Sequence, residues 1–282
     1  MQLQLRKRQT TKLRAIFLDT SIFLIGIPLF LTIVFFSDLN DKFVLYLNDP
    51  SLFTIYFSNF AHSNLNHFFD NTVAYIVIIF LILLLRTDRK EFYYDIFLIF
   101  FIVPFVVSIS TLLLINAHTS LGFSGIVSAI MAYYLFSVYE FTQKQLNVCL
   151  SYAVVILIFG FSFLLVLLQY SLANLIEFRF LIFVGIVLSL LLPKATKDII
   201  KAYKSMKHLG STERGKFTVI IISIFMFFSF SLAIMMFFVL FPIEIATSTG
   251  QVNIFGHLIG YCCGLILPIS QRIVKNSCKY EI

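Results

Sequence analysis

The chain has 282 residues, of which 60% are hydrophobic and 12% charged, with a mean hydropathy of +0.95. So little polar surface cannot cover a water-soluble globule, which excludes a soluble domain and marks a polytopic membrane protein. The formal net charge of +7 is then read as basic loops facing anionic lipid headgroups of the bilayer, with no nucleic acid expected as a partner.

Crossing about 30 Å of hydrocarbon takes roughly 17 to 25 apolar residues, and in chain order such runs are Ala15–Phe36, Asn66–Leu85, Phe92–Ile115, Leu121–Tyr139, Val148–Leu172, Phe178–Leu192, Phe217–Phe241 and Ile254–Ile269. Eight spans are predicted, in an all-α bundle. Residues 1–14 are basic, and no small-residue cleavage site ends the apolar run after them, so they read as a cytoplasmic segment before an uncleaved first span. With that start inside, the segments 1–14, 86–91, 140–147, 194–216 and 270–282 hold 19 of the 21 Lys/Arg, leaving Lys42 and Arg179 outside. This asymmetry supports both the span count and an orientation with both termini cytoplasmic. Within 194–216, lysines at 194, 197, 201, 204 and 207 fall on one face of a helix, which is expected to lie on the inner membrane surface. Cys149, Cys262, Cys263 and Cys278 are not spaced as a disulfide framework or a metal site.

Three polar islands interrupt the apolar sequence: His62-x4-His67-x3-Asn71, Gly122-Phe123-Ser124-Gly125, and Gly256-His257-x2-Gly260-x3-Gly264. Each opens a span that the predicted topology runs from outside to inside, which puts all three at a similar depth. His67 and Asn71 share one helix face, whereas His62 would project roughly 140° away from His67. A lone intramembrane asparagine more often joins spans by a hydrogen bond, and a serine in an apolar helix more often bonds its own backbone. An ionisable residue such as His257 inside a span is a functional candidate by default. Gly260 and Gly264 give its span a smooth stripe, and Gly125, Ser128, Ala129 and Ala132 give the serine span a small face. Packing these together would bring Ser124 and His257 within hydrogen-bond reach.

Separately each island has a structural explanation, but none accounts for nucleophile, base and amide-type donors at one depth. In their order and spacing these motifs resemble the rhomboid family of intramembrane serine proteases, over about His62 to Pro268. The resemblance implies a rhomboid-like bundle in which Ser124 is the nucleophile and His257 its general base. His67, Asn71 and the Ser124 amide would bind the oxyanion. Membrane proteins with transmembrane helices would be the substrates, with no cofactor or metal needed.

Several features depart from the usual family pattern. Rhomboids commonly have six spans; a hairpin inserted at about 148–192 is expected to account for the additional two. That would make the transmembrane domain 15–270, with a basic cytoplasmic loop at 194–216, a tail at 271–282, and Phe217–Phe241 as the substrate gate. No Trp-Arg pair occurs in the first outer loop, Ser128 stands where an aromatic commonly supports the histidine, and Gly256 replaces an alanine. A catalytically silent helix-binding relative and a transporter with midplane polar groups are the other function classes. The lack of an acid-poor, Ser/Arg-rich leader points to a prokaryotic plasma membrane.

Overall fold

The structure is a computed structural model that describes residues 16–115, 117–173, 177–240, 246–247, 250–251 and 253–277. The basic segment 1–14 and the tail residues 278–282, including Cys278, lie outside the described residues. The first helix, α1, runs Ile16–Phe35 and contains a π-helical turn at Ser21–Gly26. The loop after it holds α2 (Leu39–Lys42), β1 (Leu45–Tyr46), α3 (Leu52–Phe57) and a 3-10 turn at Ser58–Phe60. Next come α4 (Leu65–Leu85), α5 (Arg89–Leu114), β2 (Thr119–Ser120), α6 (Ser124–Leu146) and α7 (Tyr152–Leu172). The chain continues with α8 (Phe178–Ser189), α9 (Leu192–Leu209), α10 (Glu213–Leu240), a two-stranded ribbon of β3 (Ala246–Thr247) and β4 (Gly250–Gln251), and α11 (Ile254–Ser277).

Among the described residues, α1, α4, α5, α6, α7 and α11 are long and apolar enough to cross a bilayer, and α8 with α9 adds a seventh if that bent pair is one span. Helices occupy all eight stretches expected to span. The stretch 178–192 differs in form: α8 has 12 residues, about 18 Å at 1.5 Å per residue, and the path then bends by 50° into α9. Pro193 is the second residue of the second helix; lacking an amide hydrogen, it cannot continue the ladder of α8 and pre-sets the first turn of α9.

Of the prolines inside spans, Pro104 and Pro28 each free a backbone carbonyl that a tyrosine takes. Pro104 of α5 cannot donate to the Phe100 carbonyl four residues earlier, and the Tyr56 hydroxyl donates to it at 3.1 Å. In the π-helical turn Ile27 bonds back to Ile22, so the Phe23 carbonyl would need an amide at Pro28, which has none; the Tyr75 hydroxyl donates there at 2.9 Å. Such repair is needed because the bilayer core offers no water to a stranded carbonyl.

At the centre is α6, which packs against α4, α5, α7, α10 and α11. Its strongest partner is α11, and the two run parallel along their length. Near their starts Ser124 meets His257. One turn on, a Cβ at Gly260 would stand 2.0 Å from the Gly125 carbonyl oxygen, and one at Gly264 would stand 1.9 Å from that of Ala129. Near their ends, the guanidinium of Arg272 donates to Glu140 at 2.8 Å and to Asp95 of α5 at 2.8 Å. Since Asp95 lies early and Thr111 late in α5, and they meet the end and the start of α11 respectively, α5 runs antiparallel to this pair. The starts of α4, α6 and α11, each carrying one polar island, therefore share one end of the bundle.

Arg272 is 7% exposed and Asp95 is fully buried, with Glu91 joining the cluster and pairing with Lys275 as well. Removing one partner of such a pair leaves an uncompensated buried charge. Asp95→Leu should therefore destabilise the protein by about 3 to 5 kcal/mol, read as a large fall in thermal midpoint in detergent, while Lys216→Gln, which breaks the exposed pair with Glu213, should leave the midpoint unchanged. Gly264→Leu tests the helix contact: with no room beside Ala129, it should sharply reduce the yield of monodisperse protein in size-exclusion chromatography.

Candidate functional site

The segment before α6 is fixed from three sides. β1 pairs with β2, Leu45 opposite Ser120 and Tyr46 opposite Thr119, and the Gly122 amide donates to the Ser58 carbonyl at 3.0 Å. Phe123, fully buried, packs against Phe60, Tyr75 and Phe100. Gly122 has φ +144°, a conformation that side chains rarely adopt, and a Cβ there would lie 2.9 Å from the His67 ring. Glycine at 122 is thus required twice, by backbone conformation and by the approach of an imidazole.

Ser124 is the first residue of α6, half-buried, so its amide lacks an intrahelical acceptor. Its Oγ lies 2.7 Å from Nε2 of His257. The Ser128 hydroxyl, one turn later, donates to the Ser124 carbonyl at 2.8 Å, so it folds back on its own helix.

His257 lies in the first turn of α11 and is 6% exposed. Its helix start is set by Asn253, whose Oδ1 accepts from the Gly256 amide at 2.8 Å while its Nδ2 donates to Thr111 Oγ1 of α5 at 2.7 Å. The His257 amide donates to the Asn253 carbonyl at 3.1 Å. Asn253 thus acts as an N-cap that also ties the histidine's helix to α5. Asn253 and Thr111 did not stand out in the sequence; the available signal was an asparagine three residues before Gly256 at the mouth of an apolar run, a capping pattern.

On α4, whose Asn64 cap accepts from the His67 amide at 2.9 Å, the His67 ring lies against the Gly122 position, which is also close to Ser124 Oγ. Ser63 Oγ and His67 Nδ1 are 3.3 Å apart. Asn71 is 5% exposed, and its Nδ2 has no hydrogen-bond partner. By contrast Asn59, also buried, directs its Nδ2 to the carbonyls of Ile55, Tyr56 and Pro104 and to Ser108 Oγ. One asparagine is saturated as a structural tie, and the other keeps its donor free.

His62 lies before α4 starts, so a helical angle does not describe its position. Its ring is fully buried, 5.4 Å from that of His67 and edge-on to Phe68. Asn40 clamps its backbone, donating to the His62 carbonyl at 3.0 Å and accepting from its amide at 2.9 Å. Burial, and secondarily the neighbouring His67, push its pKa well below the usual histidine value, although the Phe60 carbonyl acts in the opposite sense. His62 is therefore a neutral packing partner of His67 at working pH. Asp70, the acidic residue nearest these motifs in sequence, is exposed. No group of three or more metal-binding side chains occurs among the described residues.

The site thus gathers a serine hydroxyl, an imidazole in contact with it, a second imidazole and a free amide donor at the starts of three parallel helices. No curated protein and no solved structure matches the chain. A family model described as Rhomboid domain matches residues 49–194, which takes in His62–Asn71 and Gly122–Gly125 and ends before His257. With more than half of its length in that match, the chain is a multi-pass member of the rhomboid family, which comprises intramembrane serine proteases and inactive relatives.

Proposed function

We propose that this protein is an intramembrane serine endopeptidase that cleaves membrane-protein substrates in or near their transmembrane helices. The observation that carries this reading is the 2.7 Å contact between Ser124 Oγ and His257 Nε2, made by two helices whose backbones touch one turn below. His257 takes the serine proton as Ser124 Oγ attacks the scissile carbonyl carbon, then hands it to the departing amine. Water, activated by the same imidazole, hydrolyses the acyl-enzyme. Negative charge on the tetrahedral oxygen is met by the Ser124 amide, Asn71 Nδ2 and His67. If Ser63 donates to His67 Nδ1, the ring proton sits on Nε2, which faces Gly122 and can donate to that oxygen.

A substrate helix must unwind locally to present a carbonyl, and α10 (Glu213–Leu240) is our candidate for the gate that admits it. The additional helices relative to a six-span core are assigned to an insertion at about 148–192. The decisive experiment is labelling of detergent-solubilised protein with a fluorophosphonate probe. Label on Ser124, lost in Ser124→Ala and in His257→Ala, supports the dyad; a folded protein that never labels and never cleaves would be a helix-binding relative instead.

Asn71→Ala should retain labelling yet lower turnover of a model transmembrane substrate by roughly 10- to 1,000-fold, as expected for loss of one oxyanion donor. Unchanged turnover would make Asn71 a structural residue only.

The pH dependence has a defined sign. A protonated imidazole cannot accept the serine proton, and histidine ordinarily titrates near about 6.5. Cleavage under single-turnover conditions should therefore fall as pH drops through the mildly acidic range and recover on return to neutral. A flat rate between about pH 5 and 8 with chemistry limiting would rule out His257 as the base.

A further inference from the structure

The helix α9 presents three faces, and among the described residues one of them packs on the rest of the protein. On that face Ala195 is buried, the Asp198 carboxylate accepts from the Ser151 amide at 2.8 Å, and Ser205 Oγ donates to the Leu146 carbonyl at 2.8 Å. Lys201 Nζ adds a 3.2 Å bond to the Cys149 carbonyl. These bonds clamp the turn joining α6 to α7, at the end of α6 opposite Ser124. A second face carries Leu192, Ile199, Ile200 and Tyr203, exposed by 49% to 67%. The third carries Lys194, Lys197 and Lys204, which with the bonded Lys201 fall within an arc of about 80° at 3.6 residues per turn, while Lys207 lies about 60° beyond Lys204, toward the apolar face.

With these lysines α9 cannot sit along its length in hydrocarbon, and with its apolar face it is not suited to water alone. Both faces are satisfied together only at a membrane boundary, with apolar side chains among acyl chains and ammonium groups among headgroups. At the same end of the bundle Arg86 and Arg89 pair with Asp19 and Lys275 pairs with Glu91, while the lysines of α9 form no ion pair among the described residues. Sequence asymmetry places this end in the cytoplasm, where the leaflet holds anionic lipids.

We propose that the lysine face of α9 is a binding site for anionic phospholipid headgroups, and that filling it braces the α6–α7 turn. This inference is independent of the protease reading. Bound lipid favours the folded state by mass action, so the readout is stability.

The purified full chain in neutral detergent should gain about 5 °C or more in thermal midpoint when a saturating phosphatidylglycerol is added, the shift expected for a site filled far above its dissociation constant. Phosphatidylcholine should give little of this shift, and raised salt should suppress it. The combined substitution of Lys194→Gln, Lys197→Gln, Lys204→Gln and Lys207→Gln spares Lys201 and the clamp. It should keep the lipid-free midpoint and lose most of the gain. If that variant does not fold, the two pairwise variants, Lys194→Gln with Lys197→Gln and Lys204→Gln with Lys207→Gln, should each lose part of it. An equal gain in the folded variants, or with phosphatidylcholine, would overturn the proposal. So would an equal gain with inorganic phosphate or an acidic peptide in place of lipid, since these would assign the face to free anions or to a protein.

Discussion

The backbones of α6 and α11 touch, and nearly everything else in the bundle is arranged around that contact. Inside a bilayer no hydrophobic force drives one helix onto another, so close association depends on shape and on polar ties. Gly260 against Gly125 and Gly264 against Ala129 supply the shape, with carbonyl oxygens occupying the space a side chain would take. Only at this separation can a hydroxyl as short as that of Ser124 reach the ring of His257. A longer side chain could span wider helices, but a serine meets the ring only when the two helices are this close.

Polar ties then pin the contact at both ends. Asn253 caps α11 and bonds to Thr111 beside the site, and Arg272 joins Asp95 and Glu140 at the far end. The second tie is notable for its cost: buried charges are expensive in an apolar medium unless every partner is in place. The three carboxylates and two cations of that cluster come from α5, α6 and α11 together, so the cluster forms only when all three helices are correctly stacked. It favours one register of α11 over a slip by a turn, which would misplace His257.

Much of this was legible in the sequence, for a definite reason. Membrane insertion leaves polar and small residues with few purposes, so each island and glycine stripe stood out against an apolar background; Ser124 meets His257, the His67 ring lies beside them, and Asn71 follows one turn further along α4. The extents of helices were harder to read. Hydropathy ended the serine span near Tyr139, but α6 continues to Leu146 because Glu140 finds Arg272 and Lys144 donates to the Thr87 carbonyl. Hydropathy also read a single span at 178–192, where a short helix bends by 50° into α9. A helical angle turned His62 away from His67, yet the helix begins after it, and the loop folds its ring back beside that of His67. Side chains whose partners lie far off in sequence, such as Thr111 for Asn253, left only a local capping pattern to find.

The two proline repairs have an evolutionary consequence. Tyr56 serves the carbonyl released by Pro104, and Tyr75 serves the one released around Pro28. Either tyrosine without its proline would hold a hydroxyl whose acceptor has been reclaimed by the helix, and either proline without its tyrosine would leave a carbonyl bare in hydrocarbon. Neither partner can drift alone at low cost, so each pair is expected to behave as one inherited character, gained or lost together. One pair anchors the loop before α4 to α5 and the other anchors α1 to α4, so this joint inheritance links the periphery of the bundle to the helices that bear the site.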